Sequence, residues 1–405
     1  MVTRARVAIV GAGIGGLAAA AALVRAGCAV EVYEQAPALR EVGVGLHLGP
    51  NGSRLLYRWG LGDRIRAVAS TPEAMEVRHA GDGRVLVRQP MGDEWTEKFG
   101  APYHTVHRVD LHRILAAEVP SENVHLGREL VDFAEDADGV SLRFADGTTA
   151  TADVLVGADG VHSRIRRAVA GPDVPVFSGT SAFRGVLESS RLSGASGEVM
   201  SMWVGGRARL LCYPVRGGDL TTFVVIVPDE SWDRESWSAA GDPADLAAAL
   251  DGWPPAVSAI TEVREVRRWA LYDREPLESW GGGRVTLLGD AAHPMLPHHG
   301  QGASQAIEDA VALARCVGDA AADGFTGTAA ASALGRYEAV RRPHTTLVQT
   351  GSRGSGTLKL TGEGPKRDGG ALSSMVDDVA WLHHYDVEVA LAETPDGSGA
   401  SAPLR

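Results

Sequence analysis

Lysine is almost missing from this chain of 405 residues: Lys98, Lys359 and Lys366 are the only three, and arginine supplies the rest of its 39 basic side chains. That scarcity leaves few candidates for a Schiff base or an amine nucleophile. Cysteine is equally sparse. Cys28, Cys212 and Cys316 stand far apart with no C-x-x-C spacing, which argues against a disulfide framework and suits a reduced interior. Positive charge is in deficit overall, with a net charge of -12, so nucleic acid is excluded as a main partner by phosphate repulsion. The stretch "VAIVGAGIGGLAAAAALV" lacks the basic flank and processing site of a signal peptide, and its glycines fall at turn spacing. No membrane insertion and a cytoplasmic location are the expectation.

What the chain does carry is glycine, 50 residues in all, gathered into clusters. With 44% hydrophobic and 22% charged residues, it reads as a globular protein of two or three domains. Near the N-terminus "RVAIV" reads as a buried strand, "GAGIGG" as a tight turn, "LAAAAALVRAG" as a helix and "AVEVYE" as a strand ending at Glu34. Helical patterns follow in "NGSRLLYRWGL", closed near Gly60, and in "HRVDLHRILAAEV". Residues 123–150 alternate as short strands around "ADG" turns and lead into "ADVLVGADG". From about residue 176 to 280 the pattern changes to short strands such as "AFRGVL", "ARLLCYPV" and "LTTFVVIV", whose spacing suits an antiparallel sheet. "GRVTLLGD" then restores a buried strand ending at Asp290, followed by the helix "ASQAIEDAVALARCV" and the longer pattern "AASALGRYEAVRRPHTTLVQTGSR". An α/β fold is thus interrupted by a β-rich one and resumed.

Gly11, Gly13 and Gly16 fall in the order G-x-G-x-x-G, one for the tight turn, one for the approach of a pyrophosphate and one for helix packing. The helix starting beside them offers unpaired N–H groups and a partial positive charge. Glu34 ends the next strand, where a carboxylate accepts hydrogen bonds from an adenosine ribose. These features alone leave both NAD and FAD open. Asp159 and Gly160 follow one further apolar run, and Gly289 with Asp290 another. Carboxylates at two separate strand ends suit the ribityl and ribose parts of one extended cofactor. Either aspartate by itself also reads as an N-cap or turn residue; together with the glycine fingerprint they favour FAD. No second intact fingerprint occurs, since "GSRGSG" at 351–356 has the wrong order.

Through "GAGIGG" with Glu34, "HRVDLH" with Arg108, "GADGVHSRIRR" and "GDAAHPMLPHHGQGASQAIEDA", in that order across residues 5–345, the chain resembles the single-component FAD-dependent aromatic-ring monooxygenases. The likeness is greatest to the branch with salicylate 1-hydroxylase, 3-hydroxybenzoate 6-hydroxylase and 6-hydroxynicotinate 3-monooxygenase. It implies FAD held by Glu34, Arg108, Asp290 and the first glycine turn, with the motif at Asp159 and Gly160 serving FAD and pyridine nucleotide. The backbone of Gly300, Gln301 and Gly302 is implied to lie beside the isoalloxazine. NADH or NADPH is the implied transient electron donor and molecular oxygen the co-substrate, with hydroxyl delivered from a flavin C4a-hydroperoxide to a small aromatic substrate. A homodimer is compatible with the resemblance.

The expected architecture is α/β plus a β-rich region: a Rossmann-like FAD-binding domain interrupted by a mainly antiparallel substrate-domain sheet, with C-terminal helices. The FAD-binding domain takes 1–75, 100–175 and 281–345. The substrate domain takes strands at 76–99 and the sheet at 176–280; a helical region covers 346–396 and a flexible tail 397–405.

His293, His298 and His299 lie close together, yet adjacent histidines need not converge on one tetrahedral centre, and no cysteine supports them; no metal site is expected. An electrophilic hydroxyl donor needs an electron-rich ring, and a neutral histidine beside a phenol can take its proton. His47 in "GLHLGPN" and His298 in "LPHHGQG" are the preferred candidates, by resemblance to the hydroxynicotinate branch. Tyr213 in "LLCYPVRGG" resembles a substrate-side tyrosine of related hydroxylases, while Cys212 beside it takes the opposite strand face. Arg184 and Arg209 are options for a substrate carboxylate. Pro297 stands where the 3-hydroxybenzoate branch has a glutamine, so the sequence leans toward salicylate or hydroxynicotinate-like substrates. The function so read is NAD(P)H-dependent hydroxylation of a phenolic aromatic carboxylate, salicylate or a hydroxybenzoate. Decarboxylative hydroxylation of the 6-hydroxynicotinate type, a larger natural-product substrate and a flavin-dependent dehydrogenase are the alternatives.

Overall fold

The computed structural model describes residues 4–39, 43–193, 197–206, 208–229, 240–322, 325–355 and 373–394. The tail expected at 397–405 and nearly all of the Gly-rich connection at 361–374 lie outside them.

The opening residues form β1 (Arg6–Val10), α1 (Ile14–Arg25) and β2 (Ala29–Glu34). β1 is central in a six-stranded sheet, flanked by β2 and then Val124–Leu126 on one side, and by Val154–Gly157 and Val285–Leu287 on the other. These neighbours are all parallel; only the short Gly281–Gly282 strand at the edge is antiparallel. Strands buried on both faces read as continuous apolar runs, which is why "RVAIV" and "DVLVG" show no alternation. Ala18, Ala19, Ala20 and Ala21 are fully buried. Their small side chains let α1 lie close against the long helix Gly302–Ala322.

The chain leaves this layer to build a seven-stranded sheet in the order Arg267–Asp273, Val176–Glu188, Leu220–Pro228, Ala208–Val215, Val199–Gly205, Ala74–His79, Val85–Pro90. Its pairs are antiparallel except where Val199–Gly205 runs parallel to Ala74–His79. One face packs Phe183, Leu210, Cys212, Phe223 and Val225 against the short helices at 243–261. The other turns Tyr213, Val215, Val224 and Trp269 toward Tyr103 and Leu296. This second face carries the site.

The strands expected through 76–99 end at Pro90, and Gly92–Phe99 forms a helix instead. Trp95 and Phe99, one turn apart, give it a single buried face, and Gly100 in the left-handed conformation ends it. The Gly327–Ser355 helix runs through Pro343, and a last pair of helices, Ser373–His384 and Val387–Glu393, follows.

Candidate active site

The β1–α1 turn makes the first wall. Gly11 has φ +106°, and a Cβ there would collide with the carbonyl of Ala158 at the end of the adjoining strand. A Cβ at Gly16 would strike the carbonyl of Gly11, so the helix begins directly on the turn. Gly13 differs: nothing lies within 4 Å of where its Cβ would be, and no side chain caps the helix it starts. The helix thus starts beside open space at Gly13 with no side-chain cap, and the amides of a helix's first turn are the donor set a pyrophosphate requires. Ala12 N donates to Glu34 Oε2 at 2.8 Å, and His112 Nε2 donates to Ala12 O at 2.7 Å, fixing the turn from both sides. Glu34 Oε1 accepts from Ala36 N at 2.8 Å. A carboxylate oxygen accepts more than one bond, so capacity remains for ribose hydroxyls.

Asp290 follows the Val285–Leu287 strand in a short helical turn, Gly289–Ala291. Protein surrounds it, yet its side chain is accessible. Burial pushes its pKa up, while His293 and Arg108 pull it down. Arg108 opens the Arg108–Ala116 helix, so sequence-distant parts of the chain meet here. Glycines, Glu34, Arg108 and Asp290 together fit an extended dinucleotide cofactor. Asp159 is turned otherwise: Oδ1 accepts from Ser163 Oγ at 2.5 Å and Oδ2 from Arg164 N at 2.8 Å. Its carboxylate thus caps the Arg164–Ala170 helix, while its backbone N and Ala158 border Gly11. Gly160, next to it, has φ +75°.

The loop at Pro297–Gly302 meets the Gly45–Leu48 strand, part of a three-stranded sheet with His104–His107 and Ala69–Ser70, at Gly300. A Cβ on Gly300 would lie 3.1 Å from His47 Cβ, so the loop backbone and the imidazole are in contact. His47 sits on the Gly45–Leu48 strand, its ring centroid 4.3 Å from that of Tyr213 and its Nδ1 2.8 Å from Tyr103 Oη. Tyr213 Oη donates to Gly45 O at 2.7 Å, and Arg184 Nη2 donates to the same oxygen at 2.5 Å. Burial lowers the His47 pKa to about 4, with Arg184 adding to the effect, so the ring is neutral near pH 7. Burial raises both tyrosine pKa values, most strongly that of Tyr103.

His298, on the same loop, lies 2.8 Å through Nδ1 from Arg209 Nη2. A guanidinium only donates, so Nδ1 accepts and the neutral ring carries its proton on Nε2. Burial, then Arg209 and His299, lower the His298 pKa to about 4. Gln301 is buried, and Gly302 begins the long helix. The loop histidines diverge: His293 reaches Asp309, His298 reaches Arg209, and His299 lies under Gly351. Among the described residues no group of three or more His, Cys, Asp or Glu is placed to hold a metal ion.

Behind the loop lies a buried polar network. Asp309 accepts from Gly289 N at 3.0 Å, His293 Nε2 at 2.6 Å and Arg341 Nε at 2.7 Å. Glu308 pairs with Arg341 Nη1 at 2.6 Å and accepts from Asn51 Nδ2 at 2.5 Å, and Asn51 also donates to Gln301 Oε1 at 2.9 Å. One guanidinium thus serves two carboxylates: Asp309 is held low by His293 and Arg341, while burial pushes Glu308 up to about 7.

Sequence reasoning passed over Tyr103, Asn51, Glu308, Asp309 and Arg341. The acids gave no signal, since Glu308 and Asp309 fall with Ser304, Gln305 and Arg315 on one side of the helix, which reads as an ordinary solvated face.

Residues 4–352 match the family described as FAD binding domain. The chain is 40% identical over 390 residues to the 3-amino-4-hydroxybenzoate 2-monooxygenase PtnB3 of Streptomyces platensis, covering 95% of this chain and 96% of that one. It is 38% identical over 386 residues to 6-hydroxynicotinate 3-monooxygenase of Pseudomonas fluorescens, with 94% and 95% covered. A solved salicylate hydroxylase substrate complex superposes with a TM-score of 0.82 at 30% identity, over 98% of this chain and 99% of that one. Among the described residues no helix is long and apolar enough to cross a membrane.

Proposed function

Because the chain belongs to the single-component FAD-dependent aromatic-ring monooxygenases, we propose that it hydroxylates a small phenolic aromatic carboxylate with NAD(P)H as electron donor. In the balanced reaction NAD(P)H, a proton, dioxygen and the aromatic C–H compound give NAD(P)+, water and the hydroxylated ring. The observation that carries this reading is the contact of the flavin loop at Gly300 with His47, whose ring also meets Tyr213 and Tyr103. FAD, when bound, supplies the two-electron reduction and the electrophilic transfer of oxygen to the ring.

The protein's own part is to place and deprotonate the phenol. Gly11, Gly13, Gly16, Glu34, Arg108 and Asp290, with the backbone of Gly289, Gly300, Gln301 and Gly302, form the cofactor's bed. With Nδ1–H given to Tyr103 Oη, His47 offers its Nε2 lone pair to the substrate hydroxyl. His298 has its Nδ1 occupied by Arg209, so it acts as a hydrogen-bond donor rather than as the base. The Arg184 field that disfavours an imidazolium at His47 favours a phenolate in the same space. Tyr213, fixed on Gly45 O, packs its ring beside that phenolate.

The test is turnover by purified FAD-loaded protein with 3-amino-4-hydroxybenzoate, 6-hydroxynicotinate, salicylate and 3-hydroxybenzoate under isotopically labelled dioxygen. Substrate-stimulated NAD(P)H oxidation with one labelled oxygen in the product is expected. Product mass separates simple hydroxylation from replacement of the carboxylate. Oxidation of an aromatic without label would identify a dehydrogenase, and no stimulation by any of these acids would overturn the reading.

A further inference from the structure

Acidic and basic charge are unequal in the network behind the loop. Glu308, Asp309 and Arg341 are all fully buried, so two carboxylates stand against one guanidinium. Asp309 has the stronger hold on it: Arg341 Nε is aligned on Asp309 Oδ1, while Gly289 N and His293 Nε2 both reach Oδ2. Glu308 is left mainly with amides. Its Oε1 accepts from Asn51 Nδ2 at 2.5 Å and from Gln305 Nε2 at 3.3 Å. Its Oε2 lies 2.6 Å from Arg341 Nη1, yet among the described residues neither atom is aligned for a hydrogen bond. His344 Nε2, 3.9 Å from the same oxygen, is also without one. Of the two acids, Glu308 is therefore the one placed to hold a proton, in accord with the rise of its pKa to about 7 by burial.

Amide side chains tie this acid to the loop. The Asn51 Nδ2 that donates to Glu308 also donates to Gln301 Oε1 at 2.9 Å, so both of its hydrogens are engaged. Gln305 Nε2 repeats the pattern, reaching Gln301 Oε1 at 3.2 Å as well as Glu308 Oε1. With its oxygen taken twice, Gln301 turns Nε2 the other way, to 3.1 Å from where a Cβ on Gly49 would stand, two residues after His47. Six residues of helix, about 9 Å of rise, separate Gly302 from Glu308. The charged and titratable groups facing Glu308 are Asp309 on its own helix, Arg341 and His344 on the Gly327–Ser355 helix, and Tyr385 ahead of the last helix. Burial, then Arg341, lower His344 to about 3, so its ring is neutral. That ring stacks 3.6 Å from Tyr385 and meets the exposed Trp381 edge-on, which sets a neutral imidazole between Glu308 and the surface.

We infer that Glu308 takes up a proton when the bound FAD is reduced, so that the network behind the loop offsets the charge arriving on the flavin. The inference rests on the proposed seat of the flavin at Gly300, Gln301 and Gly302. Hydride transfer to oxidised FAD adds one negative charge and draws no proton from solution. In the balanced step NAD(P)H, oxidised FAD, the Glu308 carboxylate and one proton from solution give NAD(P)+, the reduced FAD anion and the Glu308 carboxylic acid. One O–H bond forms, at Glu308 Oε2, on the side where His344 stands. A unit charge about 10 Å away, at an effective dielectric of about 20, changes a proton affinity about tenfold. Glu308 titrates near neutral pH, so a change of that size alters its occupancy; Asp309, held low by His293 and Arg341, stays ionised throughout.

The experiment is a potentiometric titration of the FAD-bound protein against a reference dye from pH 6 to pH 9, without aromatic substrate, for wild type and Glu308→Gln. Each proton taken up with an electron pair lowers the midpoint by about 30 mV per pH unit, and the flavin's own protonation is common to both proteins. The midpoint of Glu308→Gln is expected to rise relative to wild type by about 30 mV between pH 6 and pH 9, the equivalent of a tenfold tighter hold on the proton after reduction. Anaerobic reduction by NAD(P)H at pH 7.5 in weak buffer, read with a pH indicator, is expected to take up about half a proton more per flavin in wild type than in the variant. A merely structural role for Glu308 would shift FAD affinity and leave both readings unmoved. A midpoint difference constant with pH, or equal proton uptake by the two proteins, would overturn the inference. Gln301→Ala tests the flavin seat separately: unchanged FAD affinity and flavin absorbance there would overturn the seat, whereas a changed spectrum with a constant midpoint difference would overturn the role of Glu308 alone.

Discussion

Glu308 and Asp309 are adjacent, both buried and both paired to Arg341, yet they should respond oppositely to loss of charge. The Glu308 pKa is raised from its ordinary 4.5 to about 7, mainly by burial, with Asp309 adding repulsion. A group whose folded pKa is raised contributes stability below its unfolded pKa and loses it as pH rises through the folded value. The wild type should therefore lose about 2–3 kcal/mol between pH 4.5 and 8 through this residue alone. Glu308→Gln removes that loss, so its stability relative to wild type should rise by the same amount from pH 5 to pH 8. Asp309 is depressed from 3.8 to about 2, so its contribution is complete above pH 4 and fades only in acid. Asp309→Asn should cost about 3 kcal/mol or more, nearly constant from pH 5 to 8, because it weakens the bonds to Gly289, His293 and Arg341 and leaves Arg341 half-paired. Urea midpoints at pH 5 and pH 8, with FAD concentration held fixed, measure both. A Glu308→Gln curve parallel to wild type, or an Asp309→Asn loss smaller than that of Glu308→Gln at pH 8, would refute the assignment of surplus charge to Glu308.

Three further outcomes are expected. His47→Ala should lower the hydroxylation rate by about a hundredfold or more while FAD content is unchanged. Since His47 titrates near 4, it should contribute no acid limb to the rate profile between pH 5.5 and 8, and such a limb vanishing in the variant would contradict its neutral state. Gly13→Ala should fold normally and lose FAD affinity, because its Cβ enters open space before the helix, whereas Gly16→Ala should be destabilised even without FAD; identical behaviour of the two by dialysis and thermal melting would count against the cradle. All three cysteines are buried, and burial raises Cys28 to about 11 and Cys212 to about 12, so thiol reagents at pH 8 should find none in the native protein and three in denaturant.

The glycine turn and its flanking strands were legible because the G-x-G-x-x-G spacing and the apolar runs beside it are local, although the partners that require the glycines, Ala158 at Gly11 and Leu288 with Ala306 at Gly15, are distant in sequence. The face of Tyr213 against Cys212 was legible for the same reason, since alternation is a local rule. Asp159 could be read either as cofactor ligand or as cap, and only in the folded chain is its carboxylate seen turned to Ser163 and Arg164. The helix at Gly92–Phe99 escaped notice because its apolar positions are only two, Trp95 and Phe99. The pairs His47–Tyr103, Arg209–His298 and Asp309–Arg341 join residues 32 to 89 positions apart. Nothing in a linear pattern marks such partners until the sheets bring them together.

The placement of Val285–Leu287 beside Val154–Gly157 also governs how the molecule comes into being. A nascent chain that has made β1, β2 and Val154–Gly157 holds a sheet whose outer strand has no neighbour until residues 158–284 have been synthesised, on the order of ten seconds later. An open strand of this kind is a template for pairing with other chains. Asp290 and the loop behind it emerge later still, so a product halted before them would carry the glycine turn without the second half of the proposed cofactor bed, and an adhesive edge for quality control to find.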